Sequence, residues 1–241
     1  MVQRAKPNAS AYASASASID AVKTVALATQ PKVLVTGFDA FGGESINPSW
    51  LAAQALHDRV ILGHRVTAAQ LPTVFDESLR VLRALLKLHQ PALVICVGQA
   101  CGRNALSMER VAINIIDARI ADNAGAQRID TPVVPGAPAA YFSSLPIKAM
   151  LVALQREGIP AEVSQTAGTF VCNHVFYGLM HALATQRGLK KSRGGFIHVP
   201  WLPEQGTPSM PLADITRALK LAVRTALATA TDAVVGAGAQ S

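Results

Sequence analysis

The chain of 241 residues is half apolar and only 15% charged, which suits one globular domain with a sizeable core. No run approaches the ~18–20 uninterrupted apolar residues of a membrane helix, so a membrane partner is not expected. The net charge of +7 is scattered, and its densest cluster, "RGLKKSR" at 187–193, lacks the interleaved aromatics of a nucleic-acid surface, so it reads as a solvated loop or helix end.

Residues 1–31, with "NASAYASASASIDA", are low-complexity Ala/Ser without a hydrophobic face and read as a flexible tail. From Lys32 the pattern alternates. "KVLVTGF" (32–38) is a short β-branched run, and "NPSWLAAQALHD" (47–58) follows as a helix with Pro48 in its first turn. "HRVTAAQLP" reads as a strand, and 74–90 as an amphipathic helix on Leu79, Leu82 and Leu86. "PALVICVG" is apolar throughout, as a central strand covered on both faces should be. "ERVAINIIDARI" (109–120) alternates and suggests an edge strand or hairpin arm. A proline-rich excursion follows it over the surface. Then come a helix (about 144–157), a strand "AEVSQT", a helix (about 170–186), a strand "GFIHV" and a final helix (about 211–230).

Strands alternating with helices predict a three-layer αβα sandwich around a mixed, mostly parallel sheet, phosphorylase/hydrolase-like in its layering. Residues 32–230 form one such domain with no internal repeat or linker, and 231–241 read as a frayed end. In these sheets a ligand sits beyond the carboxyl ends of the strands. Loops 37–47, 98–103, 166–172 and 198–206 fall there.

The three cysteines, Cys96, Cys101 and Cys172, fit no zinc template and no secretory leader precedes them, so free thiols in a reducing, cytoplasmic setting are expected. Neither metal nor cofactor is implied. "GFDAFGG" has the glycine spacing of a phosphate loop, but Gly43-Glu44 stand where Lys and Ser/Thr are required. That removes the phosphate site a nucleoside-phosphorylase-like enzyme would use.

Cys172, in "GTFVCNHVF", follows a glycine turn and opens an apolar helix. A thiol in the first helical turn feels the positive dipole end, and its pKa should fall toward neutrality. It needs a base, and His198 ends the strand "GFIHV" at the same sheet edge. An orienting carboxylate would complete the set, with Glu109, Asp117 and Asp122 as candidates that spacing does not separate. His174 and His181 share the Cys172 helix and read as surface residues. Phe38 and Phe41 lie on a strand-end loop, as core fillers or as walls of a pocket for a small neutral ring.

Five separated stretches, "KVLVTGFDAFGGESINPS", "GQACGR…ERVAINIIDARIADN", "VPGAPAAYFSSLP", "GTFVCNHVFY" and "GFIHVPWLPEQ", resemble the pyroglutamyl peptidase family of cysteine peptidases, in the family's order and from Lys32 to about Leu221. The resemblance implies Cys172 as nucleophile, His198 as general base and Glu109 as orienting carboxylate. It implies Arg119 beside that site, and Phe38, Phe41, Asn47 and Gln99 around the pyroglutamyl ring. It further implies peptides with an N-terminal pyroglutamate (5-oxoproline) as substrates and a homodimer or homotetramer. The tail lies outside the family pattern, and Cys101 stands where the family more often has glycine. The competing expectation is a non-catalytic binder of pyroglutamyl or small neutral ligands on the same fold.

Overall fold

The computed structural model describes residues 30–238. The chain divides into two units, 1–31 and 32–241, so the flexible tail expected over 1–31 falls almost wholly outside the described residues. In the second unit the elements run β1 (Lys32–Phe38), α1 (Pro48–Gln54), β2 (Val60–Ile61), β3 (His64–Leu71), α2 (Phe75–His89) and β4 (Leu93–Gln99). Then follow β5 (Leu106–Glu109), β6 (Val111–Ile113), β7 (Ala140–Phe142), α3 (Ile147–Arg156) and β8 (Ala161–Ser164). α4 (Val171–Thr185), a 3₁₀ turn (Arg187–Leu189), β9 (Arg193–Val199) and α5 (Leu212–Ala228) complete it.

Seven strands form one sheet in the order β2-β3-β1-β4-β9-β5-β8, while β6 and β7 pair separately. β3, β1, β4 and β9 are parallel. β2 is antiparallel to β3, and β5 runs against β9 with β8 parallel to β5. This is the mixed, mostly parallel α/β sheet that the alternation predicts.

Side-chain alternation along the strands splits the core into two layers. Val33, Val35, Ile95 and Val97 face α1, α3 and α5, meeting Ala52, Leu154 and Leu219. Leu34, Val94, Cys96 and Phe196 face α2 and α4, meeting Leu79, Leu82, Phe176 and Leu179. β4 is buried along its whole length because helices cover both its faces.

Three local expectations change. The helix expected over 47–58 ends at Gln54, and turns follow to Asp58, whose φ of 61° is left-handed and whose N–H donates to Val66 O. The strand expected over 109–120 is two short pieces. β5 ends in the main sheet at Glu109, while β6 leaves it to pair with β7. Between them Arg110 is drawn aside, donating to Gln165 Oε1 at 2.8 Å and Ala237 O at 3.1 Å.

The third concerns the end expected to fray. Neither α2 nor α3 carries a side-chain cap from its own N-cap residue, and each borrows one from far along the chain. Asp122 Oδ2 accepts from Phe75 N–H at 3.0 Å. Asp232 accepts from Lys148 and Ala149 N–H at 3.2 and 2.8 Å. Together with the Arg110–Ala237 bond, this ties down the described part of the stretch after α5. A carboxylate on the first turn of a helix satisfies orphan donors and faces the positive dipole end. Asp232→Ala should cost about 1 kcal/mol. It should lower the thermal midpoint by about 2–4 °C in a domain of this size, read by circular dichroism.

Candidate active site

The carboxyl ends of β4 and β9 lie side by side, with Gly98 in register with His198. Because β5 runs against β9, with Ser107 opposite His198, the terminal Glu109 reaches the same imidazole from the neighbouring strand. Glu109 is fully buried and His198 is 4% exposed. Glu109 Oε1 lies 2.7 Å from His198 Nδ1. A carboxylate only accepts, so the ring proton sits on Nδ1 and leaves Nε2 with a lone pair that can take a proton. The same Oε1 accepts from Arg103 Nη1 at 2.9 Å.

Cys172 is the second residue of α4, whose N-cap Phe170 provides no side-chain cap. The first N–H groups of such a helix have no intrahelical partner and point at whatever lies beyond the end. The thiol lies against β4. A Cβ built on Gly98 would stand 2.9 Å from Cys172 Sγ and 2.8 Å from the Phe196 ring, and Phe196 packs on His198 at 4.9 Å between ring centroids. Gly98 therefore lies against the sulfur on one side and, across the ladder, in register with His198. Burial, and then the Glu109 charge, push the Cys172 thiol up to about 12, with Arg103 pulling the other way. This direction is opposite to the fall that a helix end by itself would bring.

Of the three carboxylates open in the sequence, Glu109 alone meets His198. Asp122 caps α2 and accepts from Ala124 and Ala126 N–H, and Asp117 is exposed. Arg119 is exposed and lines a hollow of about 300 Å³ with Asp117, Ile120, Gly168, Thr169 and Phe170, next to the start of α4. Phe38 is 2% exposed in the core, its ring 6.4 Å from Phe196. Phe41 is half-buried and pairs with Phe170 at 6.2 Å. Asn47 is 4% exposed and engaged in holding its loop: Oδ1 accepts from Ser49 N–H and Oγ, and Nδ2 donates to Asp39 O. Gln99, next to Gly98, accepts from Gln205 Nε2 at 3.3 Å.

Two residues of the site went unnoticed in the sequence. Phe170, two positions before Cys172, stands on Phe41 and, edge-on at 5.4 Å, on Phe75. Arg103 lies within "GQACGR", where the glycines draw attention first. His174 corrects an expectation. It is 1% exposed, sits edge-on to Phe75 at 5.4 Å, and neither ring nitrogen has a hydrogen-bond partner among the described residues. Burial drives it down to about 4. His181 is half-buried, 3.0 Å from the Tyr141 hydroxyl.

A thiol at a helix start, an imidazole at a strand end and a buried carboxylate on that imidazole, carried by an α/β sheet, define a cysteine-type hydrolase. The family model described as "Pyroglutamyl peptidase" matches residues 31–229. A pyrrolidone-carboxylate peptidase of Klebsiella pneumoniae is 56% identical over 212 residues, 86% of this chain and 98% of its own. One from Bacillus cereus is 54% identical over the same shares. The crystal structure of pyroglutamyl peptidase I from Bacillus amyloliquefaciens superposes with a TM-score of 0.84 at 50% identity, covering 86% of this chain and all of that one. A mutant pyrrolidone carboxyl peptidase from Pyrococcus furiosus gives 0.79 at 46% identity, covering 82% of this chain and 98% of its own. The chain belongs to the pyroglutamyl peptidase family, and the non-catalytic binder loses its support.

Gly98→Ala should push the thiol or the Phe196 ring aside. The overpacking should cost about 1–3 kcal/mol in urea unfolding, and turnover of a pyroglutamyl amide should fall by at least ~10-fold. His174 gives a pH signature. Its folded value lies below the unfolded 6.5, so the native state resists protonation. Stability is untouched well above pH 6.5 and is lost as pH falls from 6.5 toward 4. In His174→Gln the drop in unfolding free energy between pH 7 and 4.5 should be smaller by about 2–3 kcal/mol.

Proposed function

We propose that the chain hydrolyses the bond after an N-terminal pyroglutamyl residue of peptides, with Cys172 as nucleophile, His198 as general base and acid, and Glu109 holding the imidazole. The observation that carries this is the His198–Glu109 hydrogen bond of 2.7 Å beside the Cys172 thiol, in a chain of this family. A thiol held at about 12 makes deprotonation part of the attack. His198 Nε2 takes the proton as sulfur bonds to the pyroglutamyl carbonyl carbon. The oxyanion faces the unpaired N–H groups at the start of α4, with Arg119 as a further donor from its hollow. As the C–N bond breaks, the imidazolium returns its proton to the departing amine and leaves a thioester. Water, deprotonated by the same imidazole, cleaves the thioester and restores the thiol.

A pyroglutamyl terminus carries no ammonium charge, so its recognition calls for apolar walls and hydrogen bonds to the ring amide. Phe41 and Phe170 supply half-buried aromatic surface, and Phe38 lies in the core against Phe196. Gln99 and the backbone of the loop that Asn47 ties offer polar contacts. A site that pairs the ring amide rejects analogues lacking it by ~10⁴-fold or more.

Two coarser features support finer expectations. No described helix is long and apolar enough to cross a membrane. All three cysteines are free, which agrees with a reducing, cytoplasmic compartment. Phe142, 72% exposed on β7, and Ile129, 60% exposed, are apolar surface that assembly into a homodimer or homotetramer would cover.

The test is release of aminomethylcoumarin from its pyroglutamyl amide. Turnover should vanish in Cys172→Ala, and retained turnover there would sink the nucleophile assignment. The thiol's pKa supplies a second readout. In His198→Ala, alkylation of Cys172 by iodoacetamide at pH 8 should be at least ~10-fold slower than that of a free thiol, and should climb as pH rises past 9.

A further inference from the structure

Glu109 places a carboxyl group in a fully buried position, and its two oxygens are treated unequally. Oε1 accepts from both His198 Nδ1 and Arg103 Nη1, while Oε2 is buried with no partner among the described residues. Leaving a carboxylate ionised out of water costs several kcal/mol unless a cation stands against it. His198 is not a standing cation, since the mechanism needs its Nε2 lone pair before attack. Arg103 is the permanent charge in contact with this carboxylate, 26% exposed at its side chain against 0% for Glu109. It is delivered by the turn after β4, where Gly102 at φ 78° adopts a backbone that side chains disfavour.

We infer that Arg103 is a positioning residue of the reaction, one that holds the buried Glu109 carboxylate aimed through Oε1 at His198 without touching substrate. The inference rests on the triad roles proposed above. Without Arg103, the carboxylate is free to swing toward its unpaired oxygen, and the imidazole loses the partner that fixes its proton on Nδ1. The fault then lies in the chemical step and not in ring binding. Arg103 also opposes the Glu109 charge at the Cys172 sulfur, in the direction that eases loss of the thiol proton.

The experiment compares the full-length protein with Arg103→Gln, Arg103→Lys and Glu109→Gln on pyroglutamyl-aminomethylcoumarin, each checked for folding by thermal melt. Arg103→Gln should lower kcat by about 10- to 100-fold with KM within about twofold, as loss of a buried charge partner acting only on the chemical step implies. Arg103→Lys, which keeps the charge but loses the planar fork, should fall between the two. Millimolar guanidinium chloride, below denaturing levels, should restore part of the Arg103→Gln rate and leave wild type unchanged. A merely structural arginine would not respond in this way. If Arg103→Gln does not fold, a wild-type kcat in Arg103→Lys overturns the inference and a partial loss in kcat alone supports it. Wild-type kcat in folded Arg103→Gln, or a loss that guanidinium does not touch, also overturns it. If Glu109→Gln is inactive while Arg103→Gln is fully active, this inference fails alone. If Glu109→Gln is itself fully active, the triad assignment fails with it.

Discussion

A carboxylate with no access to water is the constraint around which the site is built. Glu109 is held by an imidazole on one side and a guanidinium on the other, both on the same oxygen. A buried charge of this kind is costly unless its partners are rigid, because every loosening exposes an unpaired group to a low-dielectric interior. The rigidity comes from the sheet. His198 and Glu109 stand on adjacent central strands whose ladder fixes their spacing, and Arg103 comes from the short turn leading from β4 to β5. The reversal of β5 within an otherwise parallel centre is what carries a terminal glutamate to a histidine 89 residues away.

The thiol obeys a different logic. A helix start favours an anion, whereas burial of the sulfur and the Glu109 charge act in the opposite direction at Cys172. Burial and the neighbouring carboxylate thus both favour the neutral thiol at Cys172. Such a thiol is shielded from oxidation, which proceeds through the thiolate. Cys101 on the exposed turn lacks that protection. The absence of a side chain at Gly98 leaves room for the sulfur, and a single methyl group there would collide with both the sulfur and the Phe196 ring.

Around this centre, loops are tied by residues remote in sequence. Asp122 and Asp232 cap helices that have no caps of their own. Asn47 holds the loop bearing Phe41, and Gln205 bridges Gln99 and Glu44 between two strand-end loops. Most of these ties join segments far apart in the chain, while Asn47 reaches only eight residues back to Asp39. His174 is the exception in this network: among the described residues its two ring nitrogens lack partners, and burial favours the neutral ring.

The periodicities by themselves determined the layered α/β architecture, the central buried strand over 93–99 and the helices over 75–89 and 171–185, because burial on one or both faces writes itself into local alternation. They also set Cys172 at a helix start and His198 at a strand end. To pattern and spacing, Glu109, Asp117 and Asp122 look alike along the chain, and the family resemblance alone singled out Glu109. Tertiary structure supplies the physical reason, because the register of β5 against β9 sets Glu109 against the imidazole. Only tertiary structure decided the place of Arg103, the burial of His174 and the engagement of Asn47, which ties a loop where ring binding was expected. These placements depend on how strand ends and loops pack against one another, which no local pattern of residues encodes.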